Sequence, residues 1–210
     1  GLRFGDDGFL ATLVEFDDIG VEEAQAPQLL LRFEETAESQ TFADNSGRTL
    51  VAGCEYDNDA CPASGLSGRY GTAVTFDGTN DLITLPDNDA LDLDTMTLGL
   101  WVKPAATKAG WQPLLTKQAS NATERNYSLL ISPNAQTVHF NAYAADCTTL
   151  LSGMTSTATL TLNEWNHIGL TYDGTQFQMY LNGAADASFD YNDGLCQNDH
   201  PIKLGAEVSV

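Results

Sequence analysis

The chain has no apolar run approaching the ~18 residues that a membrane-spanning helix needs. Insertion by a helix is therefore not expected. Basic residues are scarce: nine Lys and Arg stand against 29 Asp and Glu, for a formal net charge of −20. Nucleic acid is recognised through Lys and Arg on its phosphates, and anionic membrane surfaces ask for the same side chains. The charge argues against both. The four cysteines contain no C-x-x-C pair, so neither a zinc ribbon nor a thioredoxin-type site is indicated. His139, His167 and His200 lie far apart, and neither H-x-x-x-H nor H-E-x-x-H occurs. A glycine-rich phosphate loop and a G-x-S-x-G elbow are missing as well. So is any long amphipathic helix.

What is present is β pattern. Met96, Leu98, Leu100 and Val102 alternate with Thr97, Gly99 and Trp101. Period-two alternation predicts a strand with one face on a core. Short runs of this kind recur from Leu29 onward, separated by turns at Asn45-Ser46-Gly47, Asp77-Gly78, Pro86-Asp87-Asn88, Asp173-Gly174 and Asn182-Gly183. Asp-Gly and Asn-Gly pairs suit tight hairpins because both residues tolerate positive φ. Thr171–Leu181 carries the strongest hairpin pattern. Many short strands at regular spacing predict an all-β sandwich or barrel. A chain of 210 residues buries about 70% of its unfolded surface, so the core needs neither metal nor disulfide in order to exist.

Four cysteines allow three pairings. Cys54 with Cys61 and Cys147 with Cys196 are the expected ones; the first closes the acidic loop at Glu55–Asp59. Disulfides imply an oxidising compartment. With no signal peptide in view, the expected setting is secreted or at the cell surface. Asn121-Ala122-Thr123 and Asn126-Tyr127-Ser128 are glycosylation sequons and predict surface loops. The surplus of carboxylates supplies oxygens for a hard cation, so a structural calcium is expected.

Several blocks in order resemble the laminin-G-like, concanavalin A-like jelly-roll domains of bacterial secreted proteins. They are Leu29–Phe33 with Asp44-Asn45-Ser46-Gly47; Phe76-Asp77-Gly78 with Leu85-Pro86; Leu98-Gly99-Leu100-Trp101-Val102-Lys103-Pro104; Trp165-Asn166-His167 with Tyr172-Asp173-Gly174; and Tyr180–Gly183 with Lys203-Leu204-Gly205. The resemblance implies a jelly-roll β-sandwich of two antiparallel sheets over residues 27–210. Residues 1–26 stand apart as an extension, linker or donor strand. The resemblance also implies a closing strand after Gly205, which is not expected within these 210 residues. Either the chain is a fragment, or residues 8–19 fill the slot within the molecule, or they fill it between molecules, since an open edge invites another strand.

Related jelly rolls place a calcium at the opening strand and turn. The corresponding ligands here are Glu34 (or Glu35), Asp44, Asn45 and the Gly47 carbonyl. A second arrangement resembles the pentraxins and maps to Asn121, Glu124, Asn126 and Glu207. Sugar binding calls for aromatics and amides on one face. Trp111, Tyr127, His139, Asn141 and Tyr143 are the candidates, the last three alternating on one side of Val138–Ala144. Trp101 and Trp165 are expected in the core or at its rim.

Glucanases of this fold carry E-x-D-x-x-E, which this sequence lacks. Glu15-Phe16-Asp17 lies outside the domain, and Asp92-Leu93-Asp94 leads into the Met96 strand. No catalytic residue is assigned and an enzyme is not expected. The expected function is a non-catalytic extracellular adhesion or recognition module within a larger surface protein, binding carbohydrate or protein. The alternative is a fibre subunit that joins copies of itself through residues 1–26.

Overall fold

A computed structural model of the chain describes residues 3–5, 9–11, 27–54 and 60–205, with only the backbone of the first two segments. The described residues form seventeen strands: β1 (Arg3–Gly5), β2 (Phe9–Ala11), β3 (Leu29–Leu31), β4 (Thr41–Ala43), β5 (Val51–Gly53), β6 (Ala63–Ser67), β7 (Thr72–Thr75), β8 (Ile83–Leu85), β9 (Met96–Val102), β10 (Gln112–Lys117), β11 (Tyr127–Ile131), β12 (Val138–Asn141), β13 (Met154–Thr155), β14 (Asn166–Tyr172), β15 (Gln176–Leu181), β16 (Ala184–Asp190) and β17 (Ile202–Leu204). No helix among the described residues is long and apolar enough to cross a membrane.

The strands make two antiparallel sheets. Sheet I has nine strands in the order β16-β15-β14-β9-β1-β7-β6, with β2 bridging β9 and β3. Sheet II has eight, in the order β13-β12-β11-β10-β17-β8-β5-β4. One apolar cluster draws on both sheets, including Leu98, Leu100 and Phe177 of sheet I and Leu115, Leu129 and Phe140 of sheet II. This is the expected jelly-roll sandwich.

The alternation in β9 survives intact. Met96, Leu98, Leu100 and Val102 are buried and the residues between them turn outward. So Trp101 sits on the outer face of sheet I rather than in the core. β14 repeats the pattern and pairs with β9 along its whole length, from Asn166↔Val102 to Tyr172↔Met96. Asp173 closes the hairpin from β14 to β15 by accepting hydrogen bonds from the Thr175 hydroxyl and from the N–H groups of Thr175 and Gln176. The next turn places Asn182 and Gly183 at φ 51 and 83, the paired positive values a two-residue hairpin requires.

The middle of sheet I holds a strand distant in sequence. β1 lies between β9 and β7, and β2 pairs with β9 through Leu10↔Gly99 and Ala11↔Leu98. Of the expected filler, residues 9–11 therefore pair within this chain. The rest of that segment, including Glu15 and Asp17, lies outside the described residues.

The core is tied down at one end by a buried cation. Lys117, at the end of β10, is wholly buried. Its Nζ reaches Asp87 Oδ1 at 2.5 Å and Asp92 Oδ1 at 3.1 Å, and donates to the carbonyls of Asn198 and His200 at 2.7 and 2.8 Å. A buried charge is tolerated when it is this fully paired. Asp94 accepts from the Gln197 amide at 2.9 Å, so the two acids of the Asp92–Asp94 pair are held by different partners. Cys147 is joined to Cys196 and Cys54 to Cys61; residues 55–59 between the latter pair lie outside the described residues.

Candidate carbohydrate-binding face

The outer face of sheet II brings chemistry together. On β12, Val138 and Phe140 enter the core, so His139 and Asn141 face outward. On β17, Ile202 and Leu204 enter the core and Lys203 faces outward. Thr84, Thr116 and Ser128 do the same on β8, β10 and β11. Register places Thr84 beside Lys203, Lys203 beside Thr116, Thr116 beside Ser128 and Ser128 beside Asn141. A polar row thus crosses five strands, with no acid in it.

At the β12 end the row meets an aromatic platform. Trp111, just before β10, is 49% exposed. Its ring lies 5.1 Å from that of His139, tilted by 48°. His139 Nδ1 is 2.8 Å from the Thr155 hydroxyl and Nε2 is 3.3 Å from Asn141 Nδ2. Burial, reinforced by the Arg125 charge, holds the imidazole pKa below its usual value of 6.5, so the ring is neutral at neutral pH. An amide nitrogen can only donate. The network therefore assigns Nε2 as acceptor and Nδ1–H as donor to Thr155. Arg125 donates from Nη1 to Asn141 Oδ1 at 3.2 Å and from Nε to Gln118 Oε1 at 2.6 Å. Gly153, at φ +67, lets its loop close on this group: a Cβ there would sit 2.5 Å from the Phe140 carbonyl oxygen and 3.3 Å from His139 Cε1.

The hydroxyls of Thr84, Thr116 and Ser128 are closed to solvent and have no hydrogen-bond partner. Each such group costs about 1–3 kcal/mol, and here three share one row. The row is closed to solvent at its middle, where Thr116 and Ser128 are wholly buried, and an exposed indole stands at one end. That end offers flat stacking area, with His139, Asn141 and Arg125 as fixed donors and acceptors.

Of the expected ligand-binding residues, Trp111, His139 and Asn141 come together. Tyr143 follows on the same side, half-buried, its backbone bonded to Arg125 and Cys196. Tyr127 does not belong with them. It is wholly buried in the core and its hydroxyl donates to the Leu91 carbonyl at 3.3 Å. Asn126 is likewise buried and not in a surface loop: its amide accepts from Leu93 N–H and donates to the Leu93 and Cys196 carbonyls. Arg125, Gln118, Thr155 and Lys203 were not anticipated. Only the rarity of cations in an acidic chain marked Arg125 and Lys203 out.

Among the described residues, the oxygens expected at calcium are engaged in local hydrogen bonds. Asp44 spends its carboxylate on the N–H groups of Leu30 and Ser46 and on the Ser46 hydroxyl. Glu34 accepts from Thr72. Asn45 N–H donates to the Leu30 carbonyl, and Gly47 supplies the positive φ of the turn. Glu35 Oε1 accepts from Ala43 N–H, leaving Oε2 buried and unpartnered. One spare oxygen is not the set of about six to eight that calcium takes. In the second group Asn121 bonds Thr123, Glu124 pairs with His200 at 2.9 Å, Asn126 is in the core, and Glu207 lies outside the described residues. Among the described residues no three His, Cys, Asp or Glu side chains are placed to hold a metal.

Two antiparallel sheets face to face, one with a polar, aromatic-edged outer face, define a concanavalin A-like jelly roll. The sequence agrees: residues 77–209 match the laminin-G-type family described as the concanavalin A-like lectin/glucanases superfamily. The chain belongs to that family. No curated protein matches it. Among solved structures it is similar to domain 4 of AbnA, an extracellular arabinanase of Geobacillus stearothermophilus, solved with arabinotriose. That match has 16% identity and a TM-score of 0.57, and covers 83% of this chain and 86% of that one. The carbohydrate-binding module of the Ruminococcus gnavus IT-sialidase, bound to α2,3-sialyllactose, matches with 19% identity and a TM-score of 0.47 over 55% of this chain; the match spans 65% of the module, just under two thirds. The Bacillus licheniformis β-glucanase matches with 10% identity and a TM-score of 0.42, over 96% of this chain and 86% of that one.

Proposed function

We propose that the chain is a non-catalytic carbohydrate-binding module, working outside the cell, whose glycan lies across the outer face of sheet II. The observation that carries this is the half-exposed Trp111 against a neutral His139, continued by Asn141 and Arg125. Sugar rings offer an apolar C–H face and an equatorial rim of hydroxyls. An open indole suits the first, and planar side chains locked by their neighbours suit the second. The arabinotriose-bound arabinanase domain of similar fold supports the reading. Retaining glycosidases need two carboxylates about 5 Å apart, and the row on this face contains none. The two disulfides favour a secreted or surface setting.

A glycan microarray probed with the wild type and with Trp111→Ala tests the proposal. Binding to at least one glycan class is expected, with at least a tenfold weaker signal for the variant. Equal signals would move the site elsewhere, and no binding by folded wild type would end the carbohydrate reading. Running the array with calcium and with chelator tests the metal at the same time: dependence on calcium would tie a cation to binding, and no dependence would remove it.

A further inference from the structure

We infer that Lys203 anchors an anionic subsite, so that the glycan taken by this face is an acidic one. This rests on the carbohydrate reading above. Lys203 is only 7% exposed, and among the described residues its ammonium makes no hydrogen bond or ion pair. Its neighbour in the sheet shows what this chain does with a buried cation that has no outside work. Lys117 pairs in register with Ile202, one place from Lys203, and is fully satisfied by two carboxylates and two carbonyls.

Lys203 has none of that, in a chain with 29 acids available to pair it. It stands instead between Thr84 and Thr116, whose hydroxyls are also unpartnered. The Lys203 stem is buried, but its head is not among the side-chain atoms closed to solvent. A cation so placed, without a counter-charge, is stabilised by an anion brought from outside. Neighbouring strands lie about 4.8 Å apart, so Lys203 is about 14 Å from Asn141 across three strand steps. The charged unit is therefore not the sugar that stacks on Trp111 but one further along the same chain. Carboxylate and sulfate groups share the required chemistry.

The test is an array of neutral, carboxylated and sulfated oligosaccharides, probed with the wild type, Lys203→Met and Lys203→Arg, each first shown to melt cooperatively. The wild type is expected to prefer acidic over neutral glycans by about tenfold or more. Lys203→Met should lose at least fivefold of that preference, read as the ratio of acidic to neutral signal, and Lys203→Arg should retain the preference. The carboxylated and sulfated arms identify the anion. If Lys203→Met keeps the wild-type preference, or the wild type favours neutral glycans, the subsite is wrong and the carbohydrate face stands. If the folded wild type binds no glycan, both fall.

Discussion

Each sheet of the sandwich carries a Trp–His pair on its outer face, and the two pairs have the same spacing. Trp101 and His167 on sheet I have ring centroids 5.1 Å apart, as do Trp111 and His139 on sheet II. Their surroundings differ. Arg69 lies over Trp101 at 5.2 Å and over Tyr70 at 4.8 Å, so a guanidinium already occupies the position where a ligand would stack. His167 and Trp101 are opposed across β9 and β14, with Gly169 and Gly99 as the next opposed pair on that face. Among the described residues no cation lies over Trp111, and His139 leads into a network with Asn141 and Arg125. The same two ring types therefore leave one indole covered and the other exposed. What separates them is the partner over the indole, not the identity of the rings.

The largest effect expected is one that strikes both faces alike. Lys117→Met leaves Asp87, Asp92 and two carbonyls without their cation, and stability should fall by about 3–5 kcal/mol, read by denaturant unfolding. A loss below about 1 kcal/mol would mean that this end of the sandwich is held by something else. The next test separates the faces. Trp101→Ala removes a half-buried ring and a cation–π contact and should cost about 1–3 kcal/mol of stability. Trp111→Ala should cost under about 1 kcal/mol yet carry the loss of glycan binding. If the two variants exchange these roles, the wrong face has been assigned.

The smallest effect is in pH. The His139 pKa is depressed by burial and by Arg125, so between that lowered value and 6.5 the unfolded chain holds more protons than the folded one. The stability tied to His139 is thus present above pH 6.5 and is lost as pH falls through the folded pKa. Protonation also removes the acceptor that Nε2 offers Asn141. An NMR titration should give His139 a midpoint below 6.5; a midpoint at or above 6.5 would remove the neutral ring from the site.

Much of the fold was legible because β-strand alternation is a local signal. β9 and the β14–β15 hairpin show it plainly, and their turns are set by Asp173, Asn182 and Gly183. β11 defeats the same logic: all five of its residues are buried, so period two is invisible there and Tyr127 was misassigned to the surface. The polar row was legible only in pieces. His139 and Asn141 are two apart on one strand, whereas Thr84, Thr116 and Lys203 meet through register between strands up to 119 positions apart in the chain. No local pattern encodes that pairing. The acidic motifs invited a calcium reading, yet most of those oxygens accept bonds from backbone N–H groups and hydroxyls in their own turns and loops. Such capping uses the same residue types and spacing that metal loops do.

The chain has three tryptophans, so its indole N–H signals provide a direct readout. We would follow all three by NMR while adding the glycan that the array retains most strongly. The account predicts that the Trp111 signal moves with saturation while Trp101 and Trp165 stay in place. Movement of Trp101 with Trp111 unmoved would put the ligand on sheet I and contradict the assignment of the outer face of sheet II.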